Sequence, residues 1–202
     1  MQVKICGITN VADALLCQEL GAHALGFIFY PKSKRFIPPE KATDIINQLS
    51  LFTNKVGVFV DEEPDFINDM AKAVGLTSVQ VHSEESPDML ERIDYPIIKS
   101  FRISPGFDFT QITPFEKHTL LLDTYSEKEL GGTGTTFDWQ IIPEEVRSNI
   151  ILAGGVSLEN IEKIYYEIKP MAVDLSSSIE VSPGKKDSAK LETFFAKLNI
   201  LR

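Results

Sequence analysis

Eight short apolar runs recur along this 202-residue chain, at residues 3–6, 24–29, 55–60, 78–82, 97–101, 119–123, 150–153 and 172–175. Their starts lie about 24 residues apart, the length of a strand, a turn, a helix and a turn. Most are nearly continuous in apolar character rather than alternating. That is the pattern of parallel strands covered on both faces. Helix signals fill the intervals. Asn10 can cap a helix that Gly21 ends, Pro38 and Pro39 open one running to about Ser50, and Pro64 opens another closed by Gly75. Ser157 begins a periodic stretch stopped by Pro170, and Asp187 begins the last, where Leu191, Phe194, Phe195 and Leu198 recur at helical spacing. Weaker helices are expected over 87–93, 109–117 and 138–146. Residues 19–27 and 73–81 both run helix, Gly, strand, a faint internal repeat of the βα unit.

Eight strands alternating with about eight helices restrict the fold to a closed barrel or a doubly wound open sheet. The count favours an α/β fold of the single-domain (β/α)8 TIM-barrel kind over residues 1–202, with short loops because the chain is near the lower size limit for that architecture. A chain that is 43% hydrophobic fills one such core, and no linker or charge block marks a boundary.

Charge narrows the partners. With 20 Lys and Arg against 29 Asp and Glu, net −9, a nucleic-acid groove is disfavoured, since phosphates along a backbone need an excess of cations. A small anion is still accommodated by one Arg and a few backbone N–H groups. Two cysteines in a chain with no other mark of a disulfide scaffold fit a reducing compartment. No apolar run approaches the roughly 20 residues that span a bilayer, and the opening segment lacks the features of a secretory leader, so the expectation is a cytoplasmic protein without a membrane partner.

In a barrel the functional groups sit where strands end. Those positions hold Cys6-Gly7, the segment from Tyr30 to Arg35, Asp61, His82, Arg102, Asp123, Gly154-Gly155 and Ser176-Ser177-Ser178. Gly154-Gly155 lets backbone approach a ligand closely. Ser176 to Ser178, leading into Ile179, can form the first turn of a short extra helix whose N–H groups face outward. Together, after the last two strands, these turns are where barrel enzymes commonly hold a phosphate. The run Gly131-Gly132-Thr133-Gly134 lacks the Lys-Ser/Thr ending of a nucleotide loop and reads as a loop closing over the rim. Cys17, inside a helix pattern, reads as a packing residue, whereas Cys6 ends a strand just before a Gly. Asp61 and Arg102 read as rim or surface charges. His82 lines the rim or packs there, and Asp174 points into the barrel to orient another group or satisfies backbone donors.

The rim motifs, in unbroken order, resemble the phosphoribosylanthranilate isomerase family. They are Val3-Lys4-Ile5-Cys6-Gly7-Ile8-Thr9, Gly26-Phe27-Ile28-Phe29 with Ser33-Lys34-Arg35, Val56-Gly57-Val58-Phe59-Val60, Val79-Gln80-Val81-His82 and Leu122-Asp123. They continue with Gly131-Gly132-Thr133-Gly134 and Phe137-Asp138-Trp139, then Leu152-Ala153-Gly154-Gly155, and Val173-Asp174-Leu175-Ser176-Ser177 leading to Pro183-Gly184-Lys185-Lys186-Asp187. Ser83 and Ser178 depart from the pattern, standing where the family usually has Gly. The resemblance implies an Amadori rearrangement of N-(5-phosphoribosyl)anthranilate in tryptophan biosynthesis. It implies Asp123 as general acid, Cys6 as general base, Arg35 on the anthranilate carboxylate, and phosphate at Gly154, Gly155 and Ser176 to Ser178, with Gly132, Thr133 and Gly134 as further candidates. The substrate would be a small phosphorylated molecule, and the chemistry requires no metal or organic cofactor. The number of subunits is not written in these motifs. Two other readings compete: a different phosphosugar isomerase or epimerase, which would want several His and Asp metal ligands at strand ends, and a phosphosugar-binding barrel that has lost catalysis.

Overall fold

In the computed structural model, which describes residues 1–82, 86–124 and 139–201, the eight apolar runs form parallel strands. These are β1 (Gln2–Cys6), β2 (Ala24–Ile28), β3 (Asn54–Phe59), β4 (Ser78–Val81), β5 (Ile97–Ile103), β6 (Thr119–Thr124), β7 (Ile150–Leu152) and β8 (Ala172–Leu175). Each pairs with the next, and β1 also pairs with β8, so the sheet closes into a (β/α)8 barrel. Closure sets Lys4 opposite Asp174, and the β1–β2 pairing sets Cys6 opposite Gly26.

Both faces of the strands are covered. Val3, Ile5, Leu25, Phe27, Val79 and Val81 join the large outer cluster under the helices, whereas Val56, Ile98, Leu121, Ile151, Ala153 and Ala172 fill the barrel centre. This two-sided burial explains why the strands read as continuous apolar runs. Around them lie α1 (Val11–Glu19), α2 (Pro39–Ile46), α3 (Pro64–Val74), α4 (Pro87–Leu90), α5 (Glu144–Arg147), α6 (Ile161–Lys163) and α7 (Ser188–Leu201). The Asn10 side chain accepts from the Asp13 N–H at the start of α1, and Gly75 ends α3 in the left-handed conformation at φ 82. Both follow from the sequence: Asn satisfies a free helix donor, and Gly adopts positive φ without steric cost.

Several segments differ from the sequence expectation: the helix expected over 109–117 is a 3₁₀ helix, Phe109–Phe115, and that over 138–146, whose first residue lies outside the described ones, divides into a 3₁₀ turn, Trp139–Ile141, and α5. α2 ends at Ile46 rather than near Ser50. The helix expected from Ser157 begins at Ile161 and passes into a π-helical turn, Ile164–Ile168, closed by Lys169 at φ 56. The delay has a local cause: the Asn160 side chain accepts from the Ser157 N–H at 2.9 Å and donates to the Gly155 carbonyl at 2.8 Å, bracing the turn after β7 instead of capping a longer helix. After β8 the chain makes an unforeseen hairpin of β9 (Glu180–Ser182) and β10 (Lys185–Lys186). No helix among the described residues is long and apolar enough to cross a membrane.

Gly57 tests how tightly strand and helix layers mesh. A Cβ there would collide with Leu76 Cδ1 and lie 2.8 Å from Phe59, whose ring stacks on Phe29. Gly57→Ala should therefore cost about 1–3 kcal/mol by overpacking, seen as a lower urea midpoint. An unchanged midpoint would show slack in this layer.

Candidate active site

The C-terminal mouth of the barrel opens on a pocket of ≈ 100 Å³ lined by Cys6, Arg35, Gln80, His82, Arg102, Asp123, Asp174 and Ser176, with Ile28, Val58 and Leu121 beneath. Strand alternation puts these groups there. Lys4 and Cys6 on β1, Gln80 and His82 at β4, Leu121 and Asp123 on β6, and Asp174 and Ser176 at β8 are each two residues apart and so share one face. Cys6 and Asp123 are both buried, at 7% and 9% exposure, and reach the same pocket from strands separated by β7 and β8. Arg102, expected beyond the strand, lies within β5 as the register partner of Asp123, and its side chain lines the pocket rather than only the outer rim. Asp61, at φ 54, is exposed and away from that lining. Cys17 is fully buried in α1, where burial pushes its thiol up to about 12.

The Cys6 thiol is raised above its ordinary value by burial, with the positive charges of Lys4 and Lys186 pulling against that and the Asp174 charge adding to it. Burial and the charges of Lys4, Arg102 and Lys99 lower His82 to about 3, so its ring is a neutral hydrogen-bonding group. Its Nε2 lies 2.6 Å from the amide nitrogen of Gln80, which also donates to Ser100 Oγ at 3.1 Å.

Arg35 reaches the pocket already held by another side chain. Its Nε and Nη2 grip Glu180 at 2.7–3.0 Å. The same carboxylate takes a 2.9 Å bond from Lys186 Nζ, which donates in turn to the Cys6 carbonyl at 2.6 Å. Lys186 N–H binds Asp13 at 2.7 Å, Thr9 Oγ1 donates to the Gly184 carbonyl, and the Gly184 N–H donates to Glu180 at 3.2 Å. The β9–β10 hairpin thus ties the end of β1 to the loop after β2. Arg35 and Lys186 against Glu180 leave one net positive charge beside the pocket.

At the turns after β7 and β8, Gly154 and Gly155 both have positive φ, 77 and 74, which explains the glycine pair. Ser177–Ile179 forms the short helical turn expected there. Ser178 is outside the left-handed region, so its backbone does not require the family's usual Gly, and its buried Oγ has no hydrogen-bond partner among the described residues. Gly132, Thr133 and Gly134, with Ser83, lie outside the described residues.

Two groups carry no expectation from sequence. Glu180 is 145 residues from Arg35, and no local pattern links them. Lys4 stands in the opening motif, two residues before Cys6, and the period of two puts it on the same face. It is 2% exposed and pairs with Asp174 Oδ2 at 2.9 Å inside the barrel.

Groups able to give and take protons, at the mouth of a parallel barrel and beside turns suited to an anion, define an acid–base enzyme on a (β/α)8 scaffold. Comparison with known proteins narrows the class. A family model described as N-(5'-phosphoribosyl)anthranilate (PRA) isomerase matches residues 3–197. N-(5'-phosphoribosyl)anthranilate isomerase of Nitrosospira multiformis is 41% identical over 202 residues, covering 99% of this chain and 97% of that protein. The crystal structure of phosphoribosyl anthranilate isomerase from Thermotoga maritima superposes with a TM-score of 0.91 at 41% identity, with 98% of each chain covered. A further structure at 40% identity and TM-score 0.88, with 98% of each chain covered, is a phosphoribosyl anthranilate isomerase in complex with reduced 1-(o-carboxyphenylamino)-1-deoxyribulose 5-phosphate. The chain belongs to the N-(5'-phosphoribosyl)anthranilate isomerase family, enzymes of tryptophan biosynthesis.

The Arg35–Glu180–Lys186 bridge gives a prediction with a definite sign. Burial alone would raise the Glu180 carboxyl, but Arg35 and Lys186 outweigh it and hold it below the ordinary glutamate value. Its contribution is therefore complete above the unfolded value of about 4.3 and is lost as pH falls through the lower folded value. Glu180→Gln should cost about 3–5 kcal/mol at neutral pH by leaving buried cations uncompensated. Its deficit in urea midpoint relative to the unaltered protein should shrink below about pH 4. A deficit constant across that range would show that the carboxylate charge contributes nothing.

Proposed function

We propose that this chain isomerises N-(5-phosphoribosyl)anthranilate to 1-(2-carboxyphenylamino)-1-deoxyribulose 5-phosphate with Cys6 as general base and Asp123 as general acid. The observation that carries the reading is the order of groups around the barrel: Asp123 on β6, Gly154-Gly155 after β7, Ser176 to Ser178 after β8, Cys6 on β1 and Arg35 after β2. The phosphate turns lie between acid and base, and the guanidinium lies beyond the base. A substrate anchored by phosphate on the β7–β8 arc places its ribose between Asp123 and Cys6. Its anthranilate ring then extends toward Arg35 and His82. The family's substrate is anionic at both ends, as this order requires.

The protons balance in two steps. Asp123 protonates the furanose oxygen as the bond from it to C1 breaks, and the amine lone pair closes a C=N bond. The Cys6 thiolate then takes the C2 proton; that electron pair forms C1=C2, and the C=N electrons return to nitrogen, giving the enolamine that tautomerises to the ketone. Arg35 supplies the charge for the anthranilate carboxylate in a pose fixed by Glu180, and a planar fork suits a carboxylate better than an ammonium does. Neutral His82, set by Gln80, offers a hydrogen bond without a competing charge. Ser178 adds a hydroxyl at the phosphate end. A ribulose-phosphate epimerase or a non-catalytic barrel fits less well. Among the described residues no three or more of His, Cys, Asp and Glu are grouped so as to hold a metal, and a binding barrel has no use for a buried thiol facing a buried acid.

Turnover of freshly generated phosphoribosylanthranilate, followed by substrate fluorescence, tests the assignment. Cys6→Ala should lose about 10²–10⁴-fold in kcat while unfolding at a similar urea concentration, and Cys17→Ala should keep nearly full turnover. Equal losses in the two would make Cys6 a packing residue. In Asp123→Asn one limb of the pH dependence of kcat/KM should vanish, because the amide does not titrate. Survival of both limbs would remove Asp123 as the acid.

A further inference from the structure

At the floor of the pocket a buried ion pair has no structural loop to brace and no surface to solubilise. Lys4 and Asp174 are register partners on β1 and β8, the two strands whose pairing closes the barrel, and both side chains point inward. The ammonium donates to Asp174 Oδ2 at 2.9 Å, and Cys6 stands two residues along the same strand face, where the Lys4 charge favours its ionisation. Replacing such a pair by apolar side chains of similar volume is often neutral or stabilising, so stability alone does not account for it. The barrel centre just below is apolar, built from Val56, Ile98, Leu121, Ile151 and Ala172. An ammonium at this height lies one step below a sulfur that, as the base, must work as an anion.

We infer that Lys4 is a positioning residue for the isomerisation, an ammonium clamped by Asp174 that draws the Cys6 sulfur toward its thiolate form against the burial that opposes it. The inference rests on the reading of Cys6 as the base. Asp174 fixes where the charge sits and keeps Lys4 from pairing with the substrate's phosphate or carboxylate. Lys4 gives up no proton: its cationic form is favoured because Asp174 and Cys6 together outweigh the burial that would neutralise it. When Cys6 takes the C2 proton, the thiolate becomes a thiol and the Lys4–Asp174 pair is unchanged, ready to favour ionisation again once the thiol proton returns to solvent or product.

Other charges reach the sulfur. Lys186, from the β9–β10 hairpin, donates to the Cys6 carbonyl and favours the thiolate from outside the barrel. Asp174 opposes it from β8. Asp123 on β6, Arg102 on β5, Arg35 after β2 and His82 after β4 line the same pocket. The variants must therefore separate Lys4 from this background, and opposite charges on one pair allow that. Removing the ammonium and removing the carboxylate should move Cys6 in opposite directions, which a purely structural role for the pair would not do.

The test uses the Cys17→Ala protein, in which Cys6 is the sole thiol, and reads the pH midpoint of its alkylation by iodoacetamide alongside kcat/KM. Lys4→Met should raise the midpoint by about 1–3 pH units, the usual effect of a neighbouring opposite charge, and lower kcat/KM at pH 7 by about tenfold or more. Asp174→Asn should lower the midpoint. If Lys4→Met does not fold, the uncharged pair Lys4→Met/Asp174→Asn compared with Asp174→Asn isolates the same charge, and its midpoint should be the higher of the two. An unmoved or lowered midpoint on losing Lys4 overturns the inference, whatever Cys6→Ala does. A raised midpoint beside a fully active Cys6→Ala protein removes the base assignment instead, and leaves the effect of Lys4 on the sulfur standing.

Discussion

Everything at the mouth of this barrel depends on the pairing of β1 with β8. That ladder, four register pairs from Gln2 opposite Ala172 to Ile5 opposite Leu175, converts an open sheet into a closed one. It brings the thiol of the first strand beside the serine turn after the last. Without it, Cys6 would be at one edge of the sheet and Ser176 at the other. The ladder also decides what lies under the thiol, because it is the register of this pair that sets Lys4 against Asp174. Burial of both faces makes the closure rigid: helices cover the outer side chains, and six aliphatic residues fill the centre.

A second closure lies outside the barrel wall. The β9–β10 hairpin carries Glu180 and Lys186 back to the loops after β1 and β2, where one carboxylate holds a guanidinium and an ammonium at 2.7–3.0 Å. Its partners explain its position. Arg35 presents its charge at the pocket in one fixed pose, and the Cys6 carbonyl is held in place below the thiol. A buried carboxylate does both at once, bonded to Arg35 directly and linked to the Cys6 carbonyl through Lys186. Close packing around Gly7, where a Cβ would come within 2.6 Å of Arg35 Cδ, adds a steric limit to the electrostatic one.

The strands were legible because parallel pairing with two dry faces leaves an unbroken apolar signature, and expected and observed strands differ by at most two residues at their ends. Helix starts at Asn10, Pro39 and Pro64 were legible for the local reason that caps and first-turn prolines act within a few residues. The start at Ile161 was not, because Asn160 spends its side chain on Gly155, a choice fixed by the neighbouring turn. Strand-end residues could be read as a group, since any barrel brings strand ends together. The Arg35–Glu180 pair could not, because its partners share no periodicity and meet only once the hairpin folds back. Lys4 was in plain view in the first motif. Read as a strand residue it signals nothing, and only its depth in the barrel makes it chemically informative.

The same depth explains how a chain of net charge −9 can present local positive charge at its mouth. Net charge governs the far field, which salt screens within about 10 Å. Inside the mouth the count is local: Lys4, Arg35, Arg102 and Lys186 against Asp123, Asp174 and Glu180, with His82 held neutral by the cations around it. Two of the three carboxylates are spent on fixed cations beneath or beside the pocket, so the positive ends that remain are both preorganised and poorly screened. An acid held there in its protonated form would deepen that imbalance. The cations at this mouth are thus fixed by carboxylates of two kinds: Glu180 from outside the lining, and Asp174 from within it, on the strand beside that of Cys6.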